Sequence, residues 1–211
     1  MSTNYARSER NALCDLLLDV GPDAPTLCEG WTARDLAAHL AIRERRPDAA
    51  AGILVPLAAA YGERIRRQYA KREWPSLVKA VREGPPPFSP LRLDPLDRLV
   101  NTNEFFVHHE DVRRAQPDWA PRDLPSGLED HLWEALGRLA RLTLRRAGVG
   151  VVLDAGDGRR RRVVGGDLEV EVCGAVGELV LFTNGRRDHC WVELHGPEPA
   201  VAQLRDTDFG I

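Results

Sequence analysis

Residues 31–45, WTARDLAAHLAIRER, contain the clearest helix start in the chain. Thr32 is a good N-cap residue, and Asp35 follows three positions later, as in a capping box. Leucines recur at helical spacing after this start, and His39 lies on the same stripe. The stretch therefore predicts an amphipathic helix that turns an imidazole toward the apolar interior.

Helical patterns also fill the sequence on both sides of this stretch. We predict further helices over Tyr5–Val20, Val55–Lys71, Pro75–Arg82 and Pro95–Ala115, the last with Asp94 as its N-cap. Between the last two lies GPPPFSPLRLDP, residues 84–95, whose prolines cannot occupy helix interiors and predict a surface loop. The first part of the chain, residues 1–120, thus has the pattern of a bundle of about four helices.

The pattern changes to strands after one more helix. Leu128 to Arg146 predict an amphipathic helix, whose apolar face uses Leu128, Leu132, Leu136, Leu139 and Leu142. Strands are then predicted at VVLDA (151–155), DLEVEVCGA (167–175), ELVLFTNG (178–185) and CWVELHG (190–196), and a final helix at Glu198–Arg205. In the second strand the inward positions are Leu168, Val170 and Val172, and the run Arg159 to Arg162 is expected as a solvated cluster at a hairpin tip.

The predicted fold class is therefore mainly helical α+β. A four-helix bundle occupies residues 1–120, and residues 121–211 supply a connecting helix and a small α+β module.

The sequence NTNEFFVHHEDVRRA, residues 101–115, places polar side chains where a helix should be buried. The predicted inner stripe runs through Leu96, Val100, Asn103, Glu104, Val107, His108 and Asp111. Glu104 and His108 are four residues apart and project side by side, whereas His109 turns away and is expected at the surface or behind the ligands. A buried carboxylate without a partner costs on the order of several kcal/mol, so Glu104 requires a cation, a partner or water.

Two imidazoles and a carboxylate on facing helices form a donor set for a divalent metal. His39, Glu104 and His108 suit zinc with one position left to water, or non-haem iron. Spacing alone leaves alternatives open, because His39 is also compatible with a hydrogen-bonded core histidine and Glu104 with a partner of Arg43. Asp111, one turn beyond His108, either orients that imidazole or pairs with a nearby arginine.

Two motifs together resemble a known family. The combination of WTARDLAAHL with EFFVHHEDVRR resembles the DinB-like metal-binding bundles of actinobacteria, in particular the family typified by mycothiol-dependent maleylpyruvate isomerase, over roughly residues 5–120. The resemblance implies that His39, Glu104 and His108 bind a divalent metal, most often zinc, with water completing the site. Nickel, iron and manganese suit the same donors. Mycothiol, a low-molecular-weight thiol, is then implied as a co-substrate.

The second half has a looser resemblance to the small module that follows this bundle in the family. It is carried by GELVLFTNGRR, residues 177–187, and by the closing helix. Arg186 falls at a position where isomerase-like members direct an arginine toward the site, which implies a substrate contact. An exposed turn arginine beside Arg187 is the alternative. The module is short, so the resemblance does not define the particular isomerase reaction.

Composition narrows the remaining function classes. The 211 residues carry a net charge of −3, which argues against nucleic acid as a partner. A signal peptide and an apolar run of 18 residues are both missing from the sequence, so we expect no membrane association and a cytoplasmic protein. The four cysteines are scattered, which argues against disulfides and thiolate zinc sites, and Cys14 and Cys28 are expected to be small core residues.

The leading functional expectation is a metal-dependent, thiol-using transferase or isomerase that acts on a small molecule. A non-catalytic metal-binding or stress-sensing bundle with a structural metal site is the alternative. A third is a helical interaction module whose buried polar residues pair among themselves. Bundles of this kind can pair through an exposed helix face, so a homodimer is also considered.

Overall fold

The chain divides into two compact units, residues 1–120 and 121–211. The structure is a computed structural model that describes residues 3–46, 48 and 59–209. The first unit is helical, and the second combines helices with a four-stranded sheet, which confirms the predicted mainly helical α+β class. Within the described ranges, none of the helices combines the length and the apolar character that crossing a bilayer requires.

The helices of the first unit follow the sequence pattern closely. They are α1 (Tyr5–Val20), α2 (Ala33–Arg45), α3 (Ala59–Ala70), α4 (Trp74–Glu83) and α5 (Asp94–Arg113). The predicted capping box of α2 is present, because Asp35 Oδ2 accepts hydrogen bonds from the backbone and the hydroxyl of Thr32, at 3.1 and 3.0 Å. The part of the predicted third helix that precedes residue 59 lies outside the described residues.

The core of this unit forms where α1 lies along α5 and α2 packs on α3, with α4 against both α1 and α2. Its largest fully buried side chains include Leu13, Leu17, Leu36, Leu40, Leu77 and Phe105. These helices bury their apolar faces against one another, which is the main source of helix stability in a domain of this kind.

The buried face of α5 is not the one predicted from its first leucines. The helix is capped by Leu93, so Asp94 is its first residue rather than its N-cap. Leu96 and Val100 are substantially exposed, and Asp97 and Asn101 occupy the interior in their place. This shift by one residue is possible because Asp97 and Asn101 find buried hydrogen-bond partners.

The second unit is built on a sheet of strand order β2-β1-β3-β4. The strands are β1 (Gly150–Asp154), β2 (Arg160–Val164), β3 (Glu169–Cys173) and β4 (Glu193–His195), and the helices are α6 (Ser126–Leu144), α7 (Val176–Thr183) and α8 (Glu198–Asp206). β1 runs parallel to β3 and antiparallel to β2, while β4 is antiparallel to β3. α6 packs on α7 and on β2, and α8 packs on β3.

Several predictions for this unit were wrong. The segment ELVLFTNG belongs mostly to the helix α7 rather than to a strand, and every residue of α7 is buried. A short apolar run that is buried on all sides has no distinguishing period, so the pattern could not separate helix from strand. On other elements, Leu139, Leu142 and Leu168 are partly exposed rather than inward.

The arginine run also has a different place from the predicted hairpin tip. Arg160 to Arg162 lie within β2, and the turn falls at Gly156 to Gly158, where both glycines have positive φ. The arginines are paired with acidic residues, as in the contacts of Arg160 with Glu171 at 2.6 Å and of Arg162 with Glu169 at 2.7 Å. The run therefore compensates the acidic side chains of β3, which lies beyond β1 in the sheet.

Candidate metal centre

The three residues selected from the sequence lie together between α2 and α5. Glu104 Oε1 is 3.5 Å from His39 Nε2 and 3.4 Å from His108 Nε2. One donor atom from each residue lies within 4.8 Å of the other two. Helical spacing brings Glu104 and His108 onto one face of α5, and the packing of α2 adds His39.

Asp111 holds the imidazole of His108 from the opposite side. Asp111 is fully buried, and its Oδ2 lies 2.9 Å from His108 Nδ1. An ionised carboxylate can only accept a hydrogen bond, so Nδ1 is the donor and Nε2 faces Glu104. Burial alone would lower the pKa of His108, but the surrounding Asp111, Cys28 and Glu104 outweigh it and hold that pKa well above its usual range. The structure therefore has the orienting contact, which is one of the two roles predicted for Asp111.

The electrostatic environment keeps Glu104 ionised and His39 neutral. Burial would raise the pKa of Glu104, but hydrogen bonds with His108 and His39 and the charge of Arg43 bring it well below its usual value. Burial is also the main influence on His39, whose pKa it lowers, and Glu104 offsets this only in part. A carboxylate and a neutral imidazole are the forms that bind a metal ion.

Aromatic contacts fix the ring of His39. Its centroid is 5.2 Å from that of Trp31 and 5.4 Å from that of His108, the latter in an edge-on arrangement. Arg66 in turn stacks over Trp31, with 5.0 Å between the guanidinium carbon and the ring centroid. The imidazole is thus held by packing as well as by its hydrogen bond.

Glu104 also contacts a protein cation, as the ion-pair alternative predicted. Arg43 Nε lies 3.1 Å from Glu104 Oε1, and the same guanidinium donates to Asn101 Oδ1. Asn101 Nδ2 donates to Asp97 Oδ1 at 2.7 Å and to Glu44 Oε1 at 3.1 Å. The candidate site is therefore continuous with a buried polar network between α2 and α5.

That network is balanced by an arginine from α1. Arg10 Nη2 donates to Glu44 Oε1 at 2.6 Å and to Asp97 Oδ1 at 3.3 Å, and Nη1 donates to Glu44 Oε2 and to the carbonyl of Val81. The guanidinium also lies over the Phe105 ring, at 4.2 Å from its centroid. Sequence periodicity gave no signal for this network, because Arg10 and Glu44 are distant in the chain from Asp97 and Asn101.

Two other residues differ from expectation. His109 is buried rather than superficial, and its Nδ1 lies 2.9 Å from Glu9 Oε2 on α1. Cys28, expected to be a plain core residue, lies beside the candidate centre, with its Sγ 3.3 Å from Asp111 Oδ2. Both contacts join residues more than 80 positions apart, so local spacing could not reveal them.

Arg186 lies in the second unit, in the turn after α7. Its Nη1 donates to the carbonyl oxygen of Asn184. The predicted substrate contact of Arg186 stays a prediction.

Two solved structures are similar to the chain over most of its length. One is mycothiol-dependent maleylpyruvate isomerase, at 18% identity and a TM-score of 0.61, covering 92% of this chain and 95% of that chain. The other is a histidine-to-alanine mutant of mycothiol-dependent maleylpyruvate isomerase, at 18% identity and a TM-score of 0.59, covering 92% and 96%. No protein-family model and no curated protein sequence matches.

The fold is therefore that of a mainly helical α+β protein similar to this isomerase, and the resemblance predicted from the sequence motifs is confirmed at the level of the fold. The wider resemblance to DinB-like bundles of actinobacteria stays a prediction.

Proposed function

We propose that the chain binds a divalent metal ion through His39, Glu104 and His108 and acts as a thiol-using isomerase or transferase on a small molecule. The observation that carries this proposal is the convergence of two imidazole Nε2 atoms on one carboxylate oxygen, at 3.5 and 3.4 Å. The fold similarity to a mycothiol-dependent isomerase supports mycothiol as the thiol.

The donor set fits a metal ion chemically. Two imidazoles and one carboxylate are a common protein contribution to catalytic zinc, and nickel, iron and manganese accept the same donors. The hydrogen bond from His108 Nδ1 to Asp111 leaves Nε2 as the coordinating nitrogen, which is how ligating histidines are usually oriented. When bound, the ion would supply a Lewis-acid centre that lowers the pKa of a thiol or polarises a substrate oxygen.

The residues around the donors are arranged for access as well as for binding. The side chains of His39, Glu104 and His108 keep 14%, 26% and 12% of their surface exposed, so solvent reaches the donor set. Arg43 holds the Glu104 carboxylate in place, and Trp31 restricts the ring of His39. An accessible set with three protein donors favours a catalytic site over a closed structural one.

The structural-metal alternative requires a fourth protein ligand at this donor set. Their positions beside His108 in the sequence make His109 and Asp111 the candidates for that role. His109 contacts Glu9 instead, and Asp111 lies at the far nitrogen of His108. These contacts support the enzyme over the non-catalytic bundle. We further propose that Arg186 contacts the substrate.

Metal analysis tests the first part of the proposal. The full chain, purified without added ions, is compared by elemental mass spectrometry with His39→Ala, Glu104→Gln and the control His195→Ala, whose histidine is exposed beside Glu193. We expect one equivalent of metal in the parent and the control, and a loss in both site variants. A metal-free parent that also fails to bind added zinc would refute the proposal.

A thiol titration tests the second part. Thermal unfolding of the metal-loaded chain is followed with mycothiol and with its S-methyl derivative, which has no ionisable thiol. At a concentration of about 100 Kd, specific binding stabilises by about 2.7 kcal/mol, which corresponds to about 5–10 °C for a chain of this size. We expect that shift with mycothiol alone. Bound metal without any response to mycothiol would favour the structural site.

A further inference from the structure

A second group of metal-binding side chains lies on the other side of His108. Cys28 Sγ is 3.3 Å from Asp111 Oδ2, which is itself 2.9 Å from His108 Nδ1. The three donor atoms lie within 4.8 Å of one another. This group shares only His108 with the proposed catalytic set, and it uses the opposite nitrogen of that ring.

The thiol reaches this position because its loop is tied to the end of α5. The backbone amide of Leu27 donates to the carbonyl of Asp111 at 3.0 Å. Within the loop, Thr26 Oγ1 accepts from the amide of Cys28 at 3.2 Å and donates to the carbonyl of Trp31 at 2.9 Å. Gln116, beyond the end of α5, donates to the carbonyl of Pro25 at 3.2 Å. Cys28 is therefore held beside Asp111 by bonds that do not involve its own side chain.

The spacing of the donors is close to that of a coordination shell. Ligands around a tetrahedral zinc ion, at bond lengths of about 2.0–2.3 Å, are separated by about 3.4–3.6 Å. The observed separations of 2.9 and 3.3 Å would need to widen by only about 0.5 Å or less. The side chains of Cys28 and His108 are only partly buried, which leaves an ion a path to the fully buried Asp111.

The chemistry of this group differs from that of the proposed catalytic set. A thiolate and a carboxylate together neutralise a divalent charge, and sulfur favours strongly thiophilic ions such as cadmium. The other group offers one carboxylate, two imidazoles and no sulfur. The sequence predicted no thiolate metal site because its cysteines are not closely spaced in pairs. That criterion does not detect a single cysteine whose other ligands are distant in the sequence.

We propose that Cys28, Asp111 and His108 form a second metal position that is selective for thiophilic divalent ions. Binding would release the thiol proton to solvent and would displace the Nδ1 proton of His108, which leaves that ring protonated only at Nε2. Bonds would then form to Cys28 Sγ, Asp111 Oδ2 and His108 Nδ1. A neutral imidazole has only one nitrogen with a free lone pair, so the two positions are alternatives for one ion. A thiophilic ion at Cys28 would therefore withdraw His108 from the other set, a consequence that rests on the proposed function.

Cadmium titration of the metal-stripped full chain tests this position, because a cadmium–thiolate bond gives a sulfur-to-metal absorption band in the ultraviolet. The reductant must contain no thiol. The variants are Cys28→Ser, the control Cys173→Ser in the other unit, and His39→Ala, which alters only the proposed catalytic set. We expect a band that saturates at one cadmium per chain in the parent, the control and His39→Ala, and no band in Cys28→Ser. A band that survives in Cys28→Ser, or disappears in His39→Ala, would overturn the proposal.

A measurement on the unmodified sequence guards against misfolding of the variants. Carbamidomethylation of Cys28 is followed by peptide mass spectrometry with and without one equivalent of cadmium. We expect cadmium to slow the labelling of Cys28 at least tenfold and to leave Cys173 unchanged, whereas equal rates at Cys28 would refute the site. His39→Ala removes only a ligand of the proposed catalytic set. If cadmium still slows the labelling of Cys28 in that variant, the second position holds even if the proposed function fails.

Discussion

The buried arginine of α1 offers the sharpest test of how this bundle is held together. Arg10 donates to Glu44 and to Asp97, and the exposed fractions of the three side chains are only 5%, 1% and 9%. Arg10→Met keeps much of the packing against Phe105 but leaves two carboxylates without their cation. Removing one partner from a buried ion pair costs about 3–5 kcal/mol, since the remaining charge is desolvated and uncompensated.

We expect a loss near the lower end of that range, about 3 kcal/mol, because Asn101 still donates to both Glu44 and Asp97. For a chain of this length the loss corresponds to a fall in Tm of about 6–12 °C. Arg7→Met is the matched control, since Arg7 lies one helical turn earlier and pairs with Asp94 while 65% exposed. Its effect should stay below about 1 kcal/mol.

The assay is urea unfolding of both variants and the parent, followed by circular dichroism, with thermal unfolding in parallel. Equal stability of Arg10→Met and Arg7→Met would refute the reasoning, because burial would then have no bearing on the strength of these ion pairs.

Three other predictions concern single side chains. Asp35→Asn should cost about 1 kcal/mol at pH 7, because it weakens the capping box and the contact with Arg66. Burial would raise the pKa of Asp35, but hydrogen bonds with Thr32 and Arg66 bring it below the usual value of 3.8. The stabilisation by ionised Asp35 is therefore present above pH 3.8 and is lost as the pH falls through the lower pKa of the folded state. Urea unfolding at pH 7 and pH 3 should therefore show a smaller difference at pH 3, and a constant difference would contradict the assignment. Burial raises the pKa of the Cys14 thiol to about 12. Cys14 should therefore resist Ellman's reagent at pH 8 in the native chain and react once the chain is denatured. Prompt labelling in the native state would contradict this expectation. Asp111→Asn should weaken zinc binding about 10- to 100-fold, because His108 loses the carboxylate that orients its ring. Competition with a chromogenic chelator measures the zinc affinity. An unchanged affinity would contradict the orienting role of Asp111.

Sequence periodicity found the parts of the candidate site that depend on local geometry. The capping box at Thr32 and Asp35 placed the start of α2, and the four-residue interval between Glu104 and His108 put both on one face of α5. Both follow from hydrogen bonds or spacing within a single helix, which the sequence determines almost alone. The prediction that His39 lies beside Glu104 and His108 rested on the family resemblance and on the position of His39 on the apolar stripe of α2.

The features of the candidate site that escaped prediction depend on contacts between distant segments. His109 is buried because Glu9 on α1 accepts it, and Cys28 reaches Asp111 through the path of a loop. The residues adjacent in sequence to His109 and Cys28 do not indicate these partners. The burial of Asp97 in place of Leu96 similarly depends on Arg10, since a buried carboxylate is tolerated only beside a cation.

The contact of Arg43 with Glu104 has a consequence for how the protein is made. Small zinc-dependent modules remain unfolded until their ion arrives, because nothing else compensates their ligands. Here a guanidinium 3.1 Å from the carboxylate oxygen already supplies a positive charge, and Asp111 already holds the imidazole of His108. The bundle can therefore fold before it binds the proposed ion. Binding and loss of that ion would then be events of the folded protein, governed by the supply of metal rather than by folding.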